Sequence, residues 1–200
     1  MTIAASLPHS SASAPSPWVV RFAPLVVSGG AVLDLACGAG RHTRLFHAHG
    51  HPVTAIDRNT SRLAGLEGAP PVEAVEADLE GGPWPVMRRT FAGIVVTNYL
   101  YRPLFPRLIE ALTPGGVLIY ETFAAGNEAY GKPRNPDHLL RPGELLGAFA
   151  AVLSVVAYEH GTTLAGTRPA VRQRICAVNN PSGSAIFVPP LDTDSVTPRP

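Results

Sequence analysis

Along this chain, short continuous apolar runs that end in glycine or an acid take turns with stretches of helical spacing. Ala31–Ala36 (AVLDLA) is the first run, and Cys37-Gly38-Ala39-Gly40 closes it as a tight turn. Residues 41–49 then take up helical spacing through Leu45, Phe46 and Ala48, with Gly50 as the stop. Pro52–Asp57 reads as a second strand, and Asn59-Thr60-Ser61 after it are able to cap a helix to about Glu67. Val72–Ala77 is a third strand ending at Asp78, and Phe91–Thr97 a fourth. Pro103–Leu112 predicts an amphipathic helix opened by proline, and Pro114-Gly115-Gly116 a turn into a fifth strand, Val117–Phe123. A helix near Pro142–Ala150 leads to a sixth strand around Leu153–Tyr158, and Val171–Val178 is a seventh, antiparallel to its neighbour. Several runs are apolar without alternation, as strands are when helices cover both faces. Strand–helix repetition of this kind predicts a doubly wound α/β sheet.

Composition narrows the class. The hydrophobic fraction is 46% and the charged fraction 16%, the latter well under the roughly 25% of ordinary soluble chains, which fits buried strands and excludes general disorder. Residues 1–17 are rich in Ser, Ala and Pro, and residues 180–200 carry Pro181, Pro189, Pro190, Pro198 and Pro200, so both ends read as mobile tails around one domain over 18–179. A net charge of +1 gives no global attraction to a polyanion. Two cysteines are too few for a disulfide framework or a zinc site. The start of the chain does not read as a signal peptide and no apolar run reaches membrane-span length, so a cytoplasmic setting is expected.

Open α/β sheets hold ligands at the carboxyl ends of their strands. Gly38 and Gly40 sit at such an end, where a missing Cβ admits a ligand to the backbone. Asp34, late in a buried strand, needs a partner: backbone N–H groups of the loop, or a cationic ligand group. Asp57 follows 17 residues after Gly40, where an acid at a strand end can accept both hydroxyls of an adenosine ribose. Asp78 ends the third strand, able to accept an adenine amino group while Leu79 packs the ring. A nicotinamide fingerprint wants glycine or alanine where Thr43 stands, which argues against that cofactor. His42, His47, His49 and His51 cluster in sequence, but His42 and His47 are five apart where helical ligands need three or four, so no metal is expected.

Val32–Gly40 (VLDLACGAG), Ala55-Ile56-Asp57, Glu76-Ala77-Asp78-Leu79 and Leu112–Leu118 (LTPGGVL) resemble successive motifs of the class I S-adenosylmethionine-dependent methyltransferases. The resemblance runs from about Val19 to Asn179, and within the class it is nearest to small bacterial enzymes of the tellurite-resistance and ubiquinone-biosynthesis type. It implies a Rossmann-like seven-stranded sheet, mostly parallel with the last strand antiparallel. It implies S-adenosyl-L-methionine as cofactor and S-adenosyl-L-homocysteine as product, held by Asp34, Ala36, Cys37, Gly38, Gly40, Asp57, Arg58, Asp78, Leu79 and Asn98. Cys37 is expected there for its small size, not as a nucleophile. Asn98-Tyr99-Leu100-Tyr101 lacks the prolines of the amino-nitrogen methylation motif.

Methyl transfer is an in-line displacement in which the protein mainly positions the acceptor, so no catalytic residue need announce itself. Tyr99, Tyr101 and Arg102 after the fourth strand, and Glu121, Tyr130, Lys132, Arg134, Asn135 and His138 at or after the end of the fifth, are the candidates to line an acceptor pocket, with His138 a possible general base. Lys132, Arg134 and Arg141 suit an anionic acceptor. A nucleic-acid acceptor stays open, but nothing resembles an appended RNA- or DNA-binding module and the balanced charge favours a small molecule. A non-catalytic cofactor-binding protein is the alternative from another class.

Overall fold

The structure, a computed structural model, describes residues 14–66, 68–165 and 168–183. The tails expected over 1–17 and 180–200 therefore lie outside the described residues except for 14–17 and 180–183, as does Glu67.

Pro17–Phe22 forms α1, with Pro17 in the first turn and the Ser16 hydroxyl accepting from Trp18 N–H at its start. Then follow β1 (Val32–Leu35), α2 (Arg41–Ala48), β2 (Val53–Asp57), β3 (Val72–Glu76) and β4 (Phe91–Thr97). The second half adds α3 (Phe105–Glu110), β5 (Leu112–Phe123), α4 (Glu144–Phe149), β6 (Ser154–Ala165) and β7 (Arg168–Val178). The seven strands form one sheet in the order β3-β2-β1-β4-β5-β7-β6. Pairing is parallel from β3 to β5, and β7 runs antiparallel between β5 and β6. The doubly wound, mostly parallel sheet with an antiparallel last strand is thus the observed one.

Side chains alternate across the sheet and feed two cores. Val32, Val95, Val117, Ile119 and Cys176 pack with Trp18, Val19 and Phe22 of α1 and Phe46 of α2. Leu33, Leu35, Ile94, Val96, Leu118, Tyr120 and Ile175 pack on the opposite face with Leu108 of α3 and with Leu145 and Phe149 of α4.

Several elements differ from the sequence expectation. The helix expected from Asn59 to Glu67 is a single 3-10 turn, Ser61–Leu63, because Gly65, Gly68, Pro70 and Pro71 cannot sustain helical hydrogen bonding. The helix expected over Pro103–Leu112 is a 3-10 turn, Arg102–Leu104, followed by α3, and Leu112 already belongs to β5. Pro114-Gly115-Gly116 is not a turn before β5 but an irregularity inside it: Phe91 pairs with Leu112, and Gly93 next with Val117. Gly115 N–H and Asn179 Nδ2 tie this kink to the end of β7, at 2.7 Å to Asn179 O and 3.0 Å to Leu112 O. β6 and β7 extend past the expected Tyr158 and Val171 into a long hairpin. Among the described residues no α-helix joins β2 to β3 or β3 to β4, and the edge strand β3 has no fully buried residue. Among the described residues no helix is long and apolar enough to cross a membrane.

Candidate active site

The loop after β1 reverses the chain through three left-handed residues: Ala36 at φ 54°, Gly38 at 56° and Gly40 at 73°. Ala36 holds a conformation that L-residues avoid, and such outliers gather at ligand sites. The loop is tied to β2 by Cys37 N–H donating to Ile56 O at 3.0 Å and by Gly38 N–H donating to Asp57 Oδ2 at 2.7 Å. The other Asp57 oxygen accepts from Asn59 N–H at 3.1 Å. A Cβ on Gly38 would meet nothing, so its backbone is open, whereas one on Gly40 would strike Leu63. Asp34 is 1% exposed and accepts from Thr43 Oγ1 at 2.6 Å. Burial pushes its carboxyl up to about 6 against that hydrogen bond. Sequence left open the loop's backbone N–H groups or a cationic ligand group as partners for Asp34; its hydrogen bonds come instead from the side chain and backbone of Thr43 in α2. The Cys37 thiol is buried and pushed well above the thiolate range by burial and by Asp34 and Asp57, which removes its nucleophilic form.

Two cavities meet at this loop. One, of about 390 Å³, is lined by Ala36, Asp57, Arg58, Ala77, Leu79 and Tyr99. The other, about 400 Å³, shares Ala36, Asp57 and Tyr99 and adds Cys37, Gly38, Arg41, Thr97 and Asn98. The two make one crevice over the tips of β1, β2 and β4. Of the expected cofactor set, Ala36, Cys37, Gly38, Asp57, Arg58, Leu79 and Asn98 line it. Gly40 shapes the loop from beneath, and Asp34 lies behind it. Asp78 is exposed and lines neither cavity. Its carboxylate accepts from Glu80 N–H at 3.0 Å, and this bond, with that of Gly81 N–H and the charge of Arg58, holds its pKa below the ordinary carboxyl range.

The expected acceptor residues disperse. Tyr99 lines both parts of the crevice, its backbone O accepting from Tyr120 O–H at 2.9 Å. His138 shares a cavity of about 340 Å³ with Asn98, Tyr99 and Phe123. Tyr130 and Lys132 line a smaller one, about 220 Å³, beside Arg172. Tyr101 donates its O–H to Glu80 O at 3.0 Å. Arg102 is committed to the loop before α4: its guanidinium reaches Glu144 at 3.0 Å, Asp137 O at 2.8 Å and Leu139 O at 2.9 Å. Arg134 is exposed and lines none of these cavities.

A larger cavity, about 770 Å³, adjoins the crevice through Arg41 and Asn98; it holds Glu121, an expected acceptor residue, together with Arg172 and Arg174, which sequence reasoning missed. Asn98, left-handed at φ 56°, accepts from Arg172 Nη1 at 2.7 Å across 74 residues of chain. Its outer wall is residues 14–17, held because Ser16 N–H donates to His42 Nε2 at 3.1 Å. His42 is 1% exposed, and burial, with Arg41 beside it, pushes it down to about 3, so the ring stays neutral and accepts that bond.

The family model for the tellurite resistance protein TehB matches residues 18–80. A trans-aconitate 2-methyltransferase of Rhizobium meliloti (strain 1021) is 33% identical over 122 residues, which is 58% of this chain and 42% of that protein. The chain therefore matches under half the length of this relative. The structure superposes on TehB from Haemophilus influenzae with a TM-score of 0.65 at 19% identity, over 79% of this chain and 60% of that one. With the N-methyltransferase NodS from Bradyrhizobium japonicum WM9 the TM-score is 0.60 at 17% identity, over 80% and 93%. The chain is thus similar in sequence to the TehB family over its first three strands, and its fold is the one these solved methyltransferases have.

Proposed function

We propose that the chain binds S-adenosylmethionine in the crevice over β1, β2 and β4 and directs its methyl group to a small-molecule acceptor in the adjoining basin. The observation that carries this reading is Asp57: its carboxylate stands at the mouth of an apolar-walled crevice, fixed against the Gly38 backbone. The crevice fits the nucleoside. Ala77, Leu79 and the Tyr99 ring offer apolar surface to a purine, and Asp57 offers a hydroxyl-accepting carboxylate beside it. Gly38 and Asn98 flank the inner limb, where the amino-acid end would lie against open backbone.

When bound, the cofactor supplies an electrophilic methyl on a sulfonium. The residues of the chain then have a positional task. Asp57 fixes the ribose, Ala36 and Gly38 let the backbone approach, and Asn98, clamped by Arg172, holds the border between cofactor and acceptor. Tyr99 and residues 14–17 wall the junction from water. The relative named for trans-aconitate supports an acceptor of metabolite size.

The test is release of S-adenosylhomocysteine from purified protein given S-adenosylmethionine and fractions of a small-molecule extract. Release that depends on one fraction and disappears in Asp57→Ala supports the proposal. Release in no fraction, with the cofactor bound, would leave a binding protein without turnover.

A further inference from the structure

The basin beside the crevice is built by strand register. β5 and β7 pair so that Glu121 faces Arg174 and Phe123 faces Arg172. Residues directly opposite on neighbouring strands share one face of a sheet. Both arginines therefore project on the same side as Glu121, and Arg41 joins them from the first turn of α2.

Their partners differ. Arg174 Nε lies 3.0 Å from Glu159 Oε2 on β6 and is neutralised there. Arg41 and Arg172 have no carboxylate within ion-pair distance among the described residues. Arg41 makes only long contacts, 3.5 Å to Ala14 O and 3.4 Å to Thr97 Oγ1. Arg172 is 9% exposed, its guanidinium carbon 4.1 Å over the Phe123 ring, with one N–H on Asn98. Burial pushes its pKa below the ordinary arginine range, with the charge of Glu121 opposing that shift. Taking a guanidinium out of water without a carboxylate in direct contact is costly, so such a group is primed for an anion. Glu121, 5% exposed, is the one carboxylate among the lining residues. Two unpaired cations against one acid leave an excess of a single positive charge.

We propose that this basin is a carboxylate site, and that the acceptor is a small organic acid whose carboxylate docks between Arg41 and Arg172. Binding of the acid stands by itself; its methylation rests on the reading given above. Planar guanidinium groups match the two oxygens of a carboxylate. The single excess charge, with Glu121 in the wall, suits a carboxylate better than a phosphate dianion. Leu164, 80% exposed, lines the basin and offers apolar contact to a carbon skeleton.

Titration calorimetry tests this with acetate, succinate and trans-aconitate, each against its neutral amide, and with inorganic phosphate and sulfate. Each titration is run on the protein alone and with S-adenosylhomocysteine. The expected result is at least one acid binding about tenfold or more tighter than its amide and than either inorganic anion. Arg172→Gln should then weaken that acid by about tenfold or more while affinity for its neutral amide stays within about twofold. Thermal melting checks folding, and Arg41→Gln, on a partly exposed first helical turn, carries the comparison should Arg172→Gln not fold. Amides or inorganic anions binding as well as the acids, or unchanged acid affinity in a folded variant, would overturn the proposal. Acid binding without S-adenosylhomocysteine binding would sink the methyl-transfer reading alone, and the reverse would sink this one alone.

Discussion

Asp57 concentrates two tasks in one carboxylate, because the oxygens that order the glycine loop also face the crevice. Asp57→Ala is expected to weaken S-adenosylhomocysteine binding by about 2 kcal/mol or more, the scale of hydrogen bonds to a charged acceptor. Calorimetry on the folded variant checks it, and an unchanged dissociation constant would contradict the role. His42 and Asp34 give a second prediction, in opposite senses. His42 is pushed from 6.5 to about 3, so between those values the unfolded chain takes up a proton that the fold refuses, and this stability is lost as pH falls below about 6.5. Asp34 is raised from 3.8 to about 6, so the fold holds its proton longer, and that contribution is lost as pH rises toward 6. His42→Gln, which keeps an acceptor for Ser16 N–H, should therefore flatten or reverse the loss of stability from pH 6.5 to 4 in denaturant titrations. A slope equal to that of the parent would rule out the assignment. Asp57 was legible in the sequence because an acid at a strand end, a fixed distance beyond a glycine turn, is a local pattern. Arg172 and Arg174 were not legible: their meaning comes from the antiparallel register with β5, which no local pattern encodes. Arg102 misled for the same reason, since Glu144, which captures it, is 42 residues away.

At the scale of elements, the strands were readable and the helices less so. Continuous apolar runs such as Phe91–Thr97 can only be buried strands in a chain of this kind, and β4 spans those residues. Helical capping after Asn59 was a correct local signal overruled within a few residues by glycine and proline. The ends of β6 and β7 were missed because Thr162, Thr163 and Arg168 carry no apolar run. The kink in β5 and the turn after β1 separate stability from binding. A Cβ on Gly116 would sit 2.9 Å from the backbone oxygens of Phe91 and Thr113. Gly116→Ala should lower stability by about 1–3 kcal/mol, as overpacking does, with cofactor affinity retained. Gly40, at φ 73° with the Leu63 side chain where a Cβ would stand, supports the loop itself. Gly40→Ala should cost about 1 kcal/mol of stability and also weaken S-adenosylhomocysteine binding. Melting and calorimetry on the pair separate the two, and equal binding losses would show that the loop is not the binding element.

At the scale of the molecule, a near-neutral chain gathers positive charge in one place. The net charge of +1 gives no hint of it, because Arg41, Arg172 and Arg174 meet only after the sheet closes. The same closure brings residues 14–17 over the basin and joins it to the crevice through Asn98. The proposed cofactor crevice and acceptor basin therefore form one continuous groove along the carboxyl edge of the sheet, where open α/β sheets place their sites. Everything said about transfer depends on a nucleoside lying in that groove against Asp57. A crystal structure of the protein grown with S-adenosylhomocysteine tests this directly. Both ribose hydroxyls should lie within hydrogen-bonding distance of the Asp57 carboxylate, with the purine between Leu79 and the loop at Ala36 and the sulfur toward Asn98. Density for the ligand elsewhere, or an Asp57 carboxylate turned away from it, would contradict the account.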